Sequence, residues 1–349
     1  MNNKDFRSDN VSPPAPEILD AALRDSRAWM DAYSDDQITG RVEERLAAIF
    51  ECDVAAFPIL TGTAANALAL ATISGRFGQI LCHRSSHINM DECGAVEFYT
   101  QGNRLKPLEG EGAKLDVATC VRGFGTSDDI HQLRTTAVSI SQATEFGTYY
   151  AVEQVAQLGS WTKSRGVGLH MDGTRFANVV AASGSDPAEL TWRSGVDVLC
   201  LGATKGGAIG AEVVVFFDRE KARDFKRLMK RSGHLASRLW FLASQLDAYF
   251  RDDLWTTAAH HANAMAKRLD EALRQNSSLT PHFPVQTNMV FLKLAGSAYE
   301  KLQASGVKFY VIDDEKEGPL ARFVTSYATE PDDVDRLAET ITGIARGSA

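Results

Sequence analysis

The chain reads as an α/β protein with a mainly parallel central sheet, flanking helices, and a small α+β part at the C-terminal end. Three observations predict this. Short apolar, β-branched runs alternate with segments of helical periodicity over the first two thirds of the 349 residues. Those runs are apolar throughout instead of alternating, as strands covered on both faces are. After a long helical stretch the pattern changes to strands and one closing helix.

The elements follow in order. Pro13, Pro14 and Pro16 keep the N-terminal arm extended before a helix begins near Glu17, because proline fixes φ and disfavours helix in the residue before it. Residues 40–50 have helical periodicity, with Val42, Leu46 and Ile49 on one face. Val54–Leu60 reads as a buried strand, TGT as a tight turn and AANALALATIS as a helix. Gln79–His83 is a short apolar strand, and Ala95–Tyr99 is a candidate third. Ala137–Gln142 is a core strand, Ala151–Gly166 an amphipathic helix, and Gly168–Gly173 a strand carrying an acid near its end. Val196–Lys205 is a strand running into a lysine, with Ala211–Asp218 as its neighbour. From Phe225 the reading is helical through His261 to Arg274. Asn288–Leu294, Val307–Ile312 and Ala321–Tyr327 are strands, and a last helix starts at Asp332 with acids in its first turn, where the helix dipole favours them. The expected organisation is an arm over residues 1–16, a large domain over 17–245 and a small one over 246–349.

Composition narrows the function classes. Hydrophobic residues make up 44% and charged residues 23%, which argues against disorder. With 45 acidic and 37 basic side chains the net charge is −8, which argues against broad nucleic-acid binding. The apolar stretch from Thr63 to Ile73 has the length of a core helix, short of the roughly 20 residues of a membrane span. Met1–Asn10 is polar and lacks signal-peptide character, so a cytoplasmic setting is expected. The five cysteines form no CxxC pair and are an odd number, so they read as packing residues in a reducing compartment and not as a disulfide framework or zinc site.

The residues that carry chemistry lie at strand ends. Lys205 follows the strand VLCLGAT and opens the small-residue stretch KGGAIG, where loss of solvent lowers a lysine's pKa. Alone it reads as a loop lysine. Asp172 heads DGTR at the end of another strand, and ligand sites in open α/β sheets form at the carboxyl ends of parallel strands. An imine-forming lysine with a carboxylate nearby is what pyridoxal 5′-phosphate requires: the aldehyde joins the lysine, and the acid keeps the pyridine nitrogen protonated. TGTAAN offers Gly62 and Thr63 at a helix N-terminus as a phosphate cradle, and Thr204 could add a hydroxyl. His87 is the candidate for ring stacking and proton transfer. His83 competes with it, and His131 is weaker on spacing alone.

Taken together, these segments resemble the low-specificity L-threonine aldolase family, in the β-eliminating lyase-like group of fold-type I pyridoxal phosphate enzymes. The resemblance rests on FRSDN, AYSDDQ, TGTAAN, HINMDECGA (His87–Ala95), DDIH (Asp128–His131), ISQATEFGTYY, LHMDGTRFAN, PAELTW, VDVLCLGATKGG, SGHLASRLWFL and ARFVTSY, which run in order along almost the whole chain. It implies a fold-type I transferase-like architecture and a retro-aldol lyase that splits threonine, allo-threonine or phenylserine into glycine and an aldehyde. It also implies roles. Lys205 would join the cofactor aldehyde, Asp172 would pair with the pyridinium, and Arg175 would meet the phenolic oxygen. Gly62, Thr63 and Thr204 would hold the phosphate. His87 would stack on the ring and, with His131, address the β-hydroxyl. Ser8 and Arg322 would bind the substrate carboxylate. Tyr33 and Lys230 would come from a neighbouring subunit of a homotetramer built as a dimer of dimers. Where the family motif is usually DGAR, Thr174 replaces the alanine, and the lysine is followed by Gly206 and Gly207; both departures are expected to touch substrate preference rather than the reacting groups. An aminotransferase or β-eliminating lyase of the same fold is the alternative enzyme, and a non-catalytic nucleotide-binding protein the remote one.

Overall fold

The computed structural model describes residues 5–126, 129–276, 279–294, 296–314 and 318–346. The large sheet contains β1 Ala55–Ile59, β2 Gly78–His83, β3 Arg104–Leu108, β4 Arg134–Ser141, β5 Gly168–Gly173, β6 Val198–Gly202 and β7 Glu212–Phe216, in the order β1-β7-β6-β5-β4-β2-β3. Pairing is parallel from β6 through β5, β4 and β2 to β3. Only β7 runs the other way, antiparallel to both β1 and β6. Every residue of β6 and β7 is buried, which is why both read as unbroken apolar runs. The helix Gly62–Ile73 is buried along most of its length and packs as a core helix against the sheet. Among the described residues no helix is long and apolar enough to cross a membrane.

Two sequence expectations change. Ala95–Tyr99 is a short helix, with Val96 buried and Phe98 76% exposed. A central strand would bury both faces; here one residue per turn is enough. The missing outer strand is β3, RLKPL, which is mostly exposed and contains Pro107. An edge strand has one partner and one free side, so it tolerates charge and proline, and its sequence carries no apolar signal. The long helical stretch is three helices, Phe225–Arg231, Trp240–Tyr249 and Leu254–Leu273. Gly233, at φ +82°, breaks the first from the second, and Asp252 and Asp253 in left-handed conformation turn the second into the third.

The second sheet has the order β8-β10-β9, with β8 Met289–Leu292, β9 Tyr310–Asp314 and β10 Gly318–Val324, all antiparallel. Its core joins Met265, Leu269 and Leu273 of the long helix to Val290, Phe323 and the face Val334, Leu337, Ile341 of the helix Pro331–Arg346. Phe6 is buried in the same core. Its N–H donates to Lys308 O at 2.8 Å, and its carbonyl accepts Val324 N–H at 2.9 Å. Burial of one phenylalanine contributes about 2 kcal/mol, so the arm is anchored just before Ser8.

Packing burial is found at three of the cysteines. Cys82, Cys120 and Cys200 are buried, Cys52 is half-buried, and Cys93 is exposed in a turn. Cys93 departs because it sits at φ +51° ahead of Gly94, on the outer side of that turn.

Candidate active site

The sheet gathers its polar groups at one rim: the ends of β5 and β6, the start of β7 and the N-terminus of the helix Gly62–Ile73. Asp172 ends the pairing of β5 with β4 and is 5% exposed. Its Oδ1 accepts Thr174 N–H at 3.0 Å and the Thr174 hydroxyl at 2.7 Å, and its Oδ2 accepts Asn66 Nδ2 at 3.1 Å. Burial opposes its charge, but His87 and the two Thr174 bonds outweigh that and hold it below the usual aspartate range. Thr174 therefore bonds directly to the candidate residue Asp172.

Asn66 links two acids. Its Nδ2 donates to Asp172 and, at 2.9 Å, to Glu92 Oε1. Glu92 Oε1 also lies 2.8 Å from His87 Nδ1. The Glu92 bond raises the His87 pKa above its ordinary value against the effect of burial, with Asp172 adding to the rise. Burial raises Glu92 as well, so the pair holds a proton between them. Asn66 Oδ1 and Glu92 Oε2 are buried without a hydrogen-bond partner among the described residues.

Arg175 is buried and bidentate on Asp9: Nε to Oδ2 at 2.9 Å and Nη2 to Oδ1 at 3.0 Å. Asp9 also accepts Asn288 Nδ2 at 3.1 Å and the Ser8 hydroxyl at 3.2 Å. Burial opposes the Asp9 charge, and Arg175 and Lys205 more than compensate, so its pKa falls. The arm thus brings Ser8 to the rim through the Asp9–Arg175 pair.

Lys205 sits in the single 3-10 turn Thr204–Gly206. Burial, then the Arg175 charge, lowers its pKa below the ordinary lysine value, while Asp9, Glu145 and Asp172 pull it back. The turn is tightly seated. Gly207 has φ +112°, and its carbonyl accepts Ala15 N–H at 2.8 Å. A Cβ on Gly206 would stand 2.4 Å from the Tyr249 hydroxyl oxygen. Thr204 Oγ accepts Ala211 N–H at 3.1 Å.

At the helix N-terminus, Thr61 caps with its hydroxyl on Ala64 N–H at 3.2 Å and its carbonyl on Ala65 N–H at 3.0 Å. That leaves the Gly62 and Thr63 N–H groups in the open first turn. A Cβ on Gly62 would stand 3.8 Å from Thr174 Oγ, which places this end of the helix beside Asp172's partner.

Arg322, on β10, donates from Nη2 to Arg7 O at 3.3 Å and packs its guanidinium 5.3 Å from the Tyr310 ring centre. Its Nε is buried without a partner among the described residues. Burial and the Arg175 charge lower its pKa. Arg322 and Glu145 line a cavity of ≈ 540 Å³ with Ser85, Asn89, Phe146 and Phe291.

The chain therefore brings together Ser8, Gly62, Thr63, His87, Asp172, Arg175, Thr204, Lys205 and Arg322. It does not bring in the other candidates. His131 is exposed, with its own N–H on Asp129 Oδ1 at 2.9 Å; Asp128, in the same motif, lies outside the described residues. Lys230 Nζ sits 4.2 Å from the ring centre of Tyr33, both are exposed, and among the described residues neither bonds to those gathered at the rim. His83 loses its competition with His87: its Nε2 lies 3.1 Å from Gly110 O, and its Nδ1 accepts Ser85 N–H at 3.1 Å.

Sequence reasoning left Asp9, Asn66, Glu92, Glu145 and Glu212 unassigned. Four stand inside segments quoted for the resemblance (FRSDN, TGTAAN, HINMDECGA, ISQATEFGTYY). Glu212 had a signal of its own, a single acid opening the apolar run VVVF.

Comparison with known proteins gives a consistent picture. A family model described as beta-eliminating lyase matches residues 5–296. A low specificity L-threonine aldolase of Pseudomonas aeruginosa is 39% identical over 97% of this chain and 97% of its own length. One from Saccharomyces cerevisiae is 26% identical over 88% of this chain and 79% of its own. In structure, a threonine aldolase of Leishmania major superposes with a TM-score of 0.92 at 24% identity, covering 98% of this chain and all of that one. An aspartate aminotransferase of Rhodobacter sphaeroides superposes at 0.71 with 16% identity, covering 98% of this chain and 91% of its own. By the span of the family match and the identity to the Pseudomonas aeruginosa protein, the chain belongs to the beta-eliminating lyase family.

Proposed function

We propose that the protein cleaves L-threonine, L-allo-threonine and related β-hydroxy-α-amino acids such as phenylserine to glycine and an aldehyde, with pyridoxal 5′-phosphate as cofactor. The observation that carries this is the placement of Lys205, its pKa lowered by burial, among Asp172, Arg175 and Asp9 at the carboxyl end of a mainly parallel sheet. The residues fit the cofactor. A buried ionised acid, two open helix N–H groups, a cationic pair and a lysine amine meet at one rim, with buried polar atoms still lacking partners. The low specificity L-threonine aldolase name of the relatives supports the substrate class.

When bound, the cofactor supplies an electron sink for the pair released on breaking the Cα–Cβ bond. The protein does the rest. Lys205 holds the aldehyde end. Asp172 keeps a proton on the pyridine nitrogen, and its charge is secured by Thr174, Asn66 and His87. Arg175, fixed by Asp9, faces the phenolic oxygen. Gly62, Thr63 and Thr204 hold the phosphate. Arg322, with Ser8, takes the substrate carboxylate through two N–H groups. His87 would lie against the ring of the bound cofactor. Its Nδ1 is committed to Glu92, so Nε2 is the atom that takes the β-hydroxyl proton, and Glu92 stabilises the imidazolium that results. In a homotetramer, Tyr33, Lys230 and His131 reach a neighbour's site across the subunit contact. The wholly exposed Trp29 and the half-exposed Leu23 near Tyr33 suit such a contact.

Incubation with threonine alone is the test. Acetaldehyde and glycine are expected without any keto acid, and a strict need for a keto acid overturns the reading in favour of an aminotransferase. Lys205→Ala is expected to lose both the visible absorbance of the bound cofactor and cleavage; survival of both removes Lys205 from the site.

A further inference from the structure

Glu212 opens β7, the strand that runs against the others. Its register partners are Ile59, at the end of β1, and Gly202, at the end of β6. From Ile59 the chain passes through Leu60 and Thr61 to the helix at Gly62; from Gly202 it passes through Ala203 to Thr204. Glu212 thus lies at the seam between the two segments read as the phosphate cradle. Its Oε2 accepts Ala203 N–H at 3.0 Å and lies 3.0 Å from the place a Cβ on Gly202 would take, a place the Thr174 carbonyl approaches to 2.6 Å. Thr204 stands beside the same carboxyl, and its hydroxyl proton points to Ala211 O at 3.5 Å, a long contact. The other titratable groups around it are Lys205 on the adjoining turn, Asp172 from β5, Cys200 from β6 and Tyr249 from the helix Trp240–Tyr249. Glu212 is 8% exposed. Burial pushes its pKa up to about 7, against the bonds from Thr204 and Ala203.

Hydrogen-bond counting decides what this acid does. A hydroxyl has one proton and two acceptor sites. Thr204 Oγ already accepts from Ala211 N–H. If Glu212 is ionised, the Thr204 proton turns from its long 3.5 Å contact with Ala211 O to the charged carboxylate, and Thr204 shows only a lone pair to a phosphate. If Glu212 is protonated, its own O–H fills the second acceptor site of Thr204, and the Thr204 proton is free for an anion. A buried carboxylate beside a phosphate would also repel it.

We propose that Glu212 takes up one proton when the cofactor phosphate binds and, by donating it to Thr204 Oγ, turns Thr204 into a phosphate donor. The proton comes from solvent, no covalent bond changes, and the uptake makes cofactor affinity fall with rising pH. This rests on the reading of Thr204 as part of the phosphate cradle. Glu212 is a positioning residue, acting through Thr204.

Calorimetry on the apoprotein at pH 8, in two buffers of different ionisation enthalpy, reads the proton directly. The probes are 4′-deoxypyridoxine 5′-phosphate, which has no aldehyde to react with Lys205, and 4′-deoxypyridoxine, which has no phosphate. With the phosphorylated probe the wild type is expected to take up about one proton more than Glu212→Gln, whose amide stands in for the protonated acid. Above pH 8 the wild-type affinity falls about tenfold per pH unit relative to that of Glu212→Gln. With the unphosphorylated probe the two proteins take up the same number of protons. Glu212→Asp, which keeps an acid, restores the uptake. If Thr204→Val leaves the affinity ratio between the two probes unchanged, the cradle reading fails and takes the proposal with it. If that ratio falls but the wild type and Glu212→Gln take up equal numbers of protons, the cradle stands and the proposal alone is overturned.

Discussion

Asp172 and Glu212 are both carboxylic acids buried on the same rim of one sheet, and their pKa values move in opposite directions. Asp172 is held below the usual range, and Glu212 is pushed up to about 7. Burial acts on both in the same direction, so depth does not separate them. Their surroundings do. Asp172 accepts two bonds from Thr174 and one from Asn66, and it faces a His87 whose pKa is raised. Glu212 has one backbone N–H, one shared hydroxyl, and the weakened charge of Lys205. The number and charge of donors, not the degree of burial, set the protonation state of a buried acid here. The two ends of the rim thereby differ: one acid holds its charge, and the other sits where it exchanges a proton near neutral pH.

The comparison can be tested from its strongest member down. Asp172→Asn removes the fixed charge, and cleavage should fall on the order of a thousandfold, the scale of losing a preorganised charge at the reacting centre. Steady-state kinetics on threonine, with bound cofactor measured by absorbance, checks it; loss of less than tenfold with full occupancy would detach Asp172 from the ring nitrogen.

His170 lies two residues before Asp172 on β5. It is buried between Ser139 and Cys200, and burial lowers its pKa from 6.5 to about 4 despite the Asp172 charge. The unfolded chain then binds the proton first as pH falls. Stability contributed by neutral His170 is complete above pH 6.5 and is lost between 6.5 and about 4, to the extent of about 3 kcal/mol. Urea midpoints across that range should show a shallower slope for His170→Asn than for the wild type; equal slopes would assign the acid sensitivity elsewhere.

Gly206→Ala forces a methyl against the buried Tyr249 hydroxyl, at 2.4 Å, under the turn next to Glu212. An overpacking cost of about 2 kcal/mol is expected, together with weaker cofactor binding because the Lys205 turn must shift. A thermal melt and a cofactor titration read both; an unchanged titration would show that the turn yields elsewhere.

The smallest effect expected is that of Thr174→Ala, which restores the alanine of the resembling motif. It removes one hydroxyl bond to Asp172 and keeps the backbone one, a loss of about 1 kcal/mol. A few-fold fall in cleavage, steeper at low pH where Asp172 now protonates earlier, is the outcome that keeps Thr174 among the groups fixing this acid. A flat pH comparison with the wild type would remove it.

Much of this site was legible in the chain because its principal residues stand at punctuation points. Lys205 and Asp172 close apolar strands, and Gly62 sits where a strand turns into a helix, so alternation of strand and helix predicts that they meet. The supporting residues carry no such mark. Asn66 reaches Asp172 across 106 residues of sequence, and Asp9 reaches Arg175 across 166. His87 could be proposed as a proton handler from its type, but its partner Glu92 could not, since a turn acid and an orienting acid look alike in one dimension. The edge strand β3 was missed for a related reason: with one side open it needs no apolar signature.

What the sequence determined by itself is the architecture and the candidate groups at the strand ends, since strand and helix periods and side-chain types are local properties. The tertiary structure decided which acid is charged, which histidine is free, and where the N-terminal arm ends. Those depend on desolvation and on donors brought from distant segments: Phe6 in the second core carries Ser8 and Asp9 to Arg175, and the register of β7 between β1 and β6 sets Glu212 beside Thr204. Hydrogen bonds and burial are properties of the assembled rim, and the order of residues along the chain does not contain them.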